Sequence, residues 1–200
     1  PDLHTPIQVI PNGFNTEFWK DFGKTREPFS FISVATGTSN PSRAIVKGYD
    51  LIEELAKNHP EWSFTLIGDS KFKSSLPNIK VFGKMKVQDL LEAYNTHRYY
   101  LQLSTSEGFP NSLGEAMACG CVPIGSAVGA IPEIIDSTGL VLPNKDLALL
   151  EDLLSQFLQE DPKEKSILAR ERILDFFSYQ LRQEKLTKAL IDTKPGDLNH

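Results

Sequence analysis

Tyr99 to Ser126, YYLQLSTSEGFPNSLGEAMACGCVPIGS, runs without a break through a strand, a loop, a helix and a second strand. Tyr99 to Leu103 is short, apolar and aromatic at its start, which predicts a buried strand. Asn111 to Ala118 predicts a helix, with Pro110 favouring its start and Asn111 or Ser112 as cap. Val122 to Ile124 predicts a small strand after it.

The same alternation extends outward. Upstream, Phe29 to Val34 (FSFISV), Phe64 to Ile67 and Ile79 to Phe82 read as strands. Between the first two, about Ser42 to Asn58 predicts one amphipathic helix, with Ile45, Tyr49, Ile52 and Leu55 on its apolar stripe and Pro60 closing it. Val87 to Tyr94 predicts a short helix. Downstream, Gly139 to Leu142 reads as the last strand. Helices follow at about Asp146 to Gln159, Lys163 to Asp175 and Ser178 to Ile191. Such alternation with short loops calls for an α/β fold: a doubly wound, mainly parallel sheet covered on both faces. Ligands of such sheets sit at the carboxyl ends of the strands, which directs attention to Gly37 to Lys47, Gly68-Asp69, Gly83 to Val87 and Ser104 to Ser112.

Two hundred residues suffice for one core, so residues 1–200 are expected to form a single domain. The net charge of -5 argues against non-specific nucleic-acid binding. No apolar run approaches the ~20 residues that span a bilayer, and nothing at the start resembles a signal peptide. Cys119 and Cys121, one residue apart, are too close for an unstrained disulfide. A reduced, cytoplasmic setting is expected. The chain begins at Pro1 rather than Met, which suggests that it was cut from something longer.

The loop Ser104 to Ser112 combines features that suit a phosphate. Gly108 permits backbone conformations closed to other residues, and the helix start beyond it offers free N–H groups and a positive dipole end. Glu107 lies in the loop and Glu115 about one turn inside the helix, where a carboxylate can accept two hydrogen bonds from a ribose cis-diol. Spacing alone is weak support, since paired carboxylates occur more often on solvated helix faces than in active sites.

The surrounding residues add a resemblance. Glu107 and Glu115, with GFPNS between them and EAMACG around the second acid, look like the Glu-x7-Glu signature of retaining GT-B glycosyltransferases of the group 1 family. CVPIGSAVGAIPEII resembles the family's continuation, with Val128 in place of its usual first glycine. VIPNGFNTEFW (Val9 to Trp19) resembles its interdomain segment, VKGYDL (Val46 to Leu51) its Lys-Gly helix start, and FFSYQLRQEKL its closing helix. The fold implied is the Rossmann-like, nucleotide-sugar-binding half of a GT-B enzyme. Residues 1–25 would be linker-like and residues 178–192 the closing helix, with the N-terminal acceptor domain outside this chain.

In such enzymes the second acid binds the donor ribose, a role that falls to Glu115, and the first lies near the donor sugar, pointing to Glu107. The loop backbone touches the sugar and diphosphate, implicating Gly108, Phe109, Pro110, Asn111 and Ser112. The lysine at the helix start neutralises the departing diphosphate, so Lys47 carries the largest catalytic expectation. The family's arginine after the first strand is missing from Ala35-Thr36-Gly37-Thr38, and Arg43 is the nearby substitute. By position Gly68, Lys84 and Met85 line the base pocket. The resemblance implies no metal and no cofactor besides the donor. It names as partners a nucleotide sugar and the chain's own acceptor domain, and that missing half would make any peripheral contact with the inner face of a membrane.

Other features have plainer readings. The two cysteines lack a complementary ligand set for a metal and suit the core. His4, His59, His97 and His200 form no constellation, and Glu133 after Pro132 reads as a helix-start acid. Phe176, Phe177, Tyr179, Leu181, Leu186 and Leu190 form a packing stripe, for this domain or the missing one. A non-catalytic nucleotide-sugar-binding module and half of a sugar-nucleotide epimerase remain as alternatives to the transferase, although EAMACG weighs against the epimerase. Neither GxGxxG nor GxxxxGK[ST] occurs, which disfavours dehydrogenases and P-loop enzymes.

Overall fold

The computed structural model describes residues 8–192; His4, His200 and the first seven residues of the linker-like segment lie outside the described residues. Six strands, β1 (Ser30–Val34), β2 (Ser63–Ile67), β3 (Ile79–Phe82), β4 (Tyr99–Gln102), β5 (Val122–Ser126) and β6 (Leu140–Leu142), form one sheet in the order β3-β2-β1-β4-β5-β6. Every neighbouring pair is parallel. The order reverses between β1 and β4, whose following loops leave toward opposite faces and open a crevice at their carboxyl ends. This is the doubly wound, Rossmann-like architecture expected.

The helices are α1 (Pro41–Val46), α2 (Tyr49–Asn58), α3 (Val87–Thr96), α4 (Asn111–Ala118), α5 (Ile131–Ile135), α6 (Leu147–Phe157), α7 (Pro162–Phe176) and α8 (Tyr179–Asp192). Two apolar clusters flank the sheet, because side chains alternate across each strand. Phe31, Tyr99 and Leu101 join α2 and α6 on one face, while Ile32 and Tyr100 join α3, α4, α5 and α7 on the other. Burial of each large side chain is worth about 1.5–3 kcal/mol, so both layers are firmly fixed to the strands.

Two sequence expectations are corrected. The helix expected over Ser42 to Asn58 is two helices, α1 and α2, broken at Lys47-Gly48. Gly48 adopts φ +74°, and a Cβ there would stand 2.1 Å from the Leu103 carbonyl oxygen, so the close approach of β4 forces the break. Ile45 consequently leaves the apolar stripe and is half exposed. Second, the helix start read at Glu133 belongs to a helix of only five residues, Ile131–Ile135, followed by an unexpected 3-10 turn at Asp136–Thr138, each too short for a periodic signal.

Phe14 and Trp19 from the start of the chain are buried beside α4 and α3. Phe14 N donates to Phe177 O (2.7 Å) and Tyr179 N donates to Phe14 O (3.0 Å), so the incoming and outgoing segments pair side by side. Of the closing aromatic stripe, Phe177 enters the core, whereas Phe176, Tyr179 and Leu190 are exposed. Among the described residues no helix is long and apolar enough to cross a membrane.

Candidate functional site

The crevice between β1 and β4 is built by a backbone contact before any side chain enters it. Thr105 N donates to Val46 O (2.8 Å), which pins the end of α1 to the loop leaving β4. Asn40 accepts from Arg43 N (3.3 Å) and Pro41 follows it, so α1 is capped two residues before the expected start. Lys47 ends α1 and Gly48 turns the chain into α2, aiming the lysine across the crevice.

There Lys47 Nζ meets Glu107 Oε1 at 2.5 Å. The same oxygen accepts from Ser104 Oγ (2.9 Å) and Gln102 Nε2 (3.0 Å). The lysine and glutamate side chains are only 18% and 13% exposed, so the pair is held largely away from water, where charge pairing is strongest. Sixty residues apart in sequence, the two expected catalytic groups are thus brought together.

The loop beyond Glu107 is supported from beneath. Gly129 has φ +53°, and a Cβ on it would lie 2.2 Å from the Glu107 carbonyl oxygen. Ala130 N donates to Gly108 O (2.9 Å), so the Val128-Gly129-Ala130 segment is a floor for the acidic loop. Gly108 itself avoids the left-handed backbone anticipated for it; a Cβ there would meet nothing within 4 Å. Its contribution is open space above the loop. Phe109 packs inward, stacked 6.1 Å from Phe14.

Capping of α4 also differs from expectation. Pro110 occupies the N-cap position and no side chain accepts from the first turn. Asn111 accepts from Asn12 Nδ2 (2.9 Å), and Ser112 Oγ lies 2.7 Å from the Tyr100 hydroxyl. Both side chains are engaged elsewhere, so the positive end of α4 faces the crevice without a protein cap.

Glu115 lies on α4 in a different setting. Burial pushes its carboxyl up to about 7, and the neighbouring Tyr94 partly opposes the rise. Among the described residues no basic side chain forms an ion pair with Glu115.

Arg43 folds back over the loop after β1. Its Nε donates to Thr36 O (2.7 Å), and its Cδ would be 2.9 Å from a Cβ on Gly37. The guanidinium therefore stands just after the first strand, although it belongs to α1. That loop is tied to β2: Asp69 Oδ2 accepts from Ser39 N (2.8 Å), and this bond, with one from Lys71, holds the Asp69 carboxyl below its usual range. Gly68, at the end of β2, has φ +125° and would bring a Cβ within 2.2 Å of Ala35 O. Lys84 and Met85 follow β3 at the same carboxyl edge, Lys84 exposed and Met85 packed against the core.

The remaining polar residues serve the fold. Cys119 and Cys121 are buried and free; burial pushes Cys119 strongly upward and Cys121 to about 11, so both stay thiols. His97 is half-buried between Thr65 Oγ1 (2.8 Å) and Ala93 O (2.7 Å), and Glu133 is exposed in the first turn of α5. A cavity of about 470 Å³ at the amino ends of β4 and β5 includes Arg26 and Arg98. Arg26 is already committed to the carbonyls of Tyr94, His97 and Cys119, which it caps. Sequence reading missed Gln102, Ser104 and Gly129. A lone glutamine inside the apolar run YYLQL was the signal for the first.

Known proteins resemble the chain in sequence and in fold. The family described as glycosyl transferases group 1 matches residues 39–160. A GDP-mannose-dependent monoacylated alpha-(1-6)-phosphatidylinositol monomannoside mannosyltransferase of Corynebacterium glutamicum is 24% identical, covering 94% of this chain and 55% of its own length. The chain thus spans about half the length of that relative. Among solved structures, sucrose-phosphate synthase from Thermosynechococcus elongatus superposes with a TM-score of 0.75 at 20% identity, over 94% of this chain and 53% of that one. HepE of Anabaena, crystallised with UDP-glucose, gives 0.74 at 17% identity, over 92% and 57%.

Proposed function

Because the chain belongs to the glycosyl transferases group 1 family, we propose that it is the donor-binding half of a retaining glycosyltransferase. The enzyme would move a hexosyl group from a nucleotide-diphosphate sugar to an acceptor hydroxyl held by a second, N-terminal domain. The observation that carries this reading is the meeting of Lys47 and Glu107 at the crevice, beside the uncapped start of α4.

Each group has a chemical task there. Cleavage of the bond between the anomeric carbon and the phosphate oxygen leaves negative charge on the diphosphate. Lys47 and Arg43, one turn apart toward the end of α1, stabilise that charge as it forms, which lowers the barrier more than it tightens ground-state binding. The first-turn N–H groups of α4 and the backbone from Gly108 to Ser112 hold the diphosphate and sugar. Glu107 addresses the sugar, and Glu115 accepts the ribose hydroxyls. Gly68, Lys84 and Met85 line the base site. The position of Arg43 supports turnover over a merely binding module, since it supplies the cation absent from Ala35 to Thr38. The UDP-glucose bound by HepE supports a nucleotide sugar as donor. No metal is assigned a role.

Calorimetric titration of the chain with UDP, GDP and ADP sugars tests the reading, with and without a chelator. One donor is expected to bind with a dissociation constant between about 10 μM and 1 mM. Chelation should not alter this, and Glu115→Ala should weaken binding about tenfold. Absence of binding to all three, or an unaltered affinity in Glu115→Ala, rejects the proposal.

A further inference from the structure

Gln102 is buried at the end of β4, in a strand whose other side chains are aromatic or aliphatic. Burying a carboxamide is costly unless its hydrogen bonds are made. Here they are made, and their directions can be worked out. A carboxylate only accepts, so the group 3.0 Å from Glu107 Oε1 is the Gln102 nitrogen, which also lies 2.9 Å from Ser104 Oγ. The carboxamide oxygen then faces the Tyr100 hydroxyl at 3.2 Å.

Tyr100 and Gln102 share one face of the sheet, two residues apart. Burial raises the Tyr100 phenol far above its usual range, so it keeps its proton. That proton is placed between two acceptors, the Gln102 carboxamide oxygen and, at 2.7 Å, the Ser112 hydroxyl oxygen. A connected chain results, from Ser112 through Tyr100 and Gln102 to Glu107, where it meets Lys47 arriving from the other side.

We infer that Gln102 is a positioning residue, whose carboxamide locks the Glu107–Lys47 pair in register with the first turn of α4. The inference rests on the donor-site reading of Lys47 and Glu107. It adds that the Ser112 side chain is engaged inward by Tyr100, which leaves the Ser112 backbone N–H to face a diphosphate.

The test uses Gln102→Met, which keeps the volume and apolar packing, in the full-length transferase. The turnover number should fall at least tenfold while the donor KM changes less than threefold. In a Glu107→Gln background the same substitution should cost nothing further, since the group it orients has gone. A turnover within twofold of the parent, or full additivity of the two losses, overturns the inference. If Gln102→Met fails to fold, NMR of the unaltered 200-residue chain decides. The Gln102 carboxamide protons should exchange slowly with solvent and shift on Glu107→Gln. Exchange as fast as that of a solvated glutamine refutes the link. Should Lys47→Ala and Glu107→Gln both leave turnover unchanged, the donor-site reading fails, and the same NMR result still judges the Gln102 link.

Discussion

Glu107 and Glu115 are the same residue type in neighbouring stretches of chain, yet the fold gives them opposite surroundings. Glu107 receives an ammonium, a carboxamide and a hydroxyl on one oxygen. Glu115 sits about one turn into α4, beside Tyr94, with burial as the dominant influence on its carboxyl. The loop side of the site is thus assembled as an oriented salt bridge, while the helix side holds an acid that burial pushes up to about 7. One end is paired across the crevice; the other has no basic partner among the described residues.

The largest break in this contrast comes from Lys47→Ala, which leaves Glu107, like Glu115, without a cation. In the full-length enzyme, steady-state kinetics should show turnover reduced by about 10²–10³-fold, about 3–4 kcal/mol, with donor affinity changed less than tenfold. An unaltered turnover number contradicts the leaving-group role. Next in size, Gly48→Ala attacks the geometry that delivers the lysine. A Cβ 2.1 Å from the Leu103 carbonyl, at φ +74°, should destabilise the chain by about 2–3 kcal/mol in urea unfolding. Loss of under about 0.5 kcal/mol would mean that the α1–α2 break is not rigidly specified.

The smallest effect sharpens the contrast. A carboxyl held at about 7 in the fold binds its proton more tightly there than in the unfolded chain, where the ordinary carboxylate value applies. Its stabilising contribution is complete below about pH 4 and is lost as the pH rises through about 7. Thermal unfolding of the free chain should therefore register a decline in stability across that window. Glu115→Gln should remove it. Nucleotide affinity should run the other way, strengthening from about pH 6 to 8 as the carboxylate becomes available to the ribose. Parallel pH curves for parent and variant in both measurements would show that Glu115 is not the titrating group.

Much of this was legible in the sequence because strands and long helices announce themselves by periodicity. Every strand was placed to within two residues, and α4 matched from Asn111 to Ala118. Failures arose where distant backbone decides local structure. Nothing near Gly48 in the chain reports that Leu103 will press against it, so Ile45 and Tyr49 were read as one helical face. Asn111 and Ser112 have good capping side chains, but Asn12 and Tyr100 engage them instead. Lys47 and Glu107 were identifiable through resemblance; their 2.5 Å contact depends on the Thr105–Val46 bond, which no local pattern encodes. Gln102 stood out as a lone polar residue in YYLQL, but its role was hidden for a related reason, since alternation along a strand tells which face a side chain takes but not whether polar company waits there.

The pairing of Phe14 with the Phe177–Tyr179 backbone has a consequence for modularity. Everything from β1 to α7 is an excursion that leaves and returns through one gate. A unit whose two joints coincide can be spliced onto another scaffold at a single locus, and its order of segments can be permuted with a short bridge across that gate. The unit is therefore a natural cassette, transferable so long as the graft carries both sides of the Phe14–Ser178 seam.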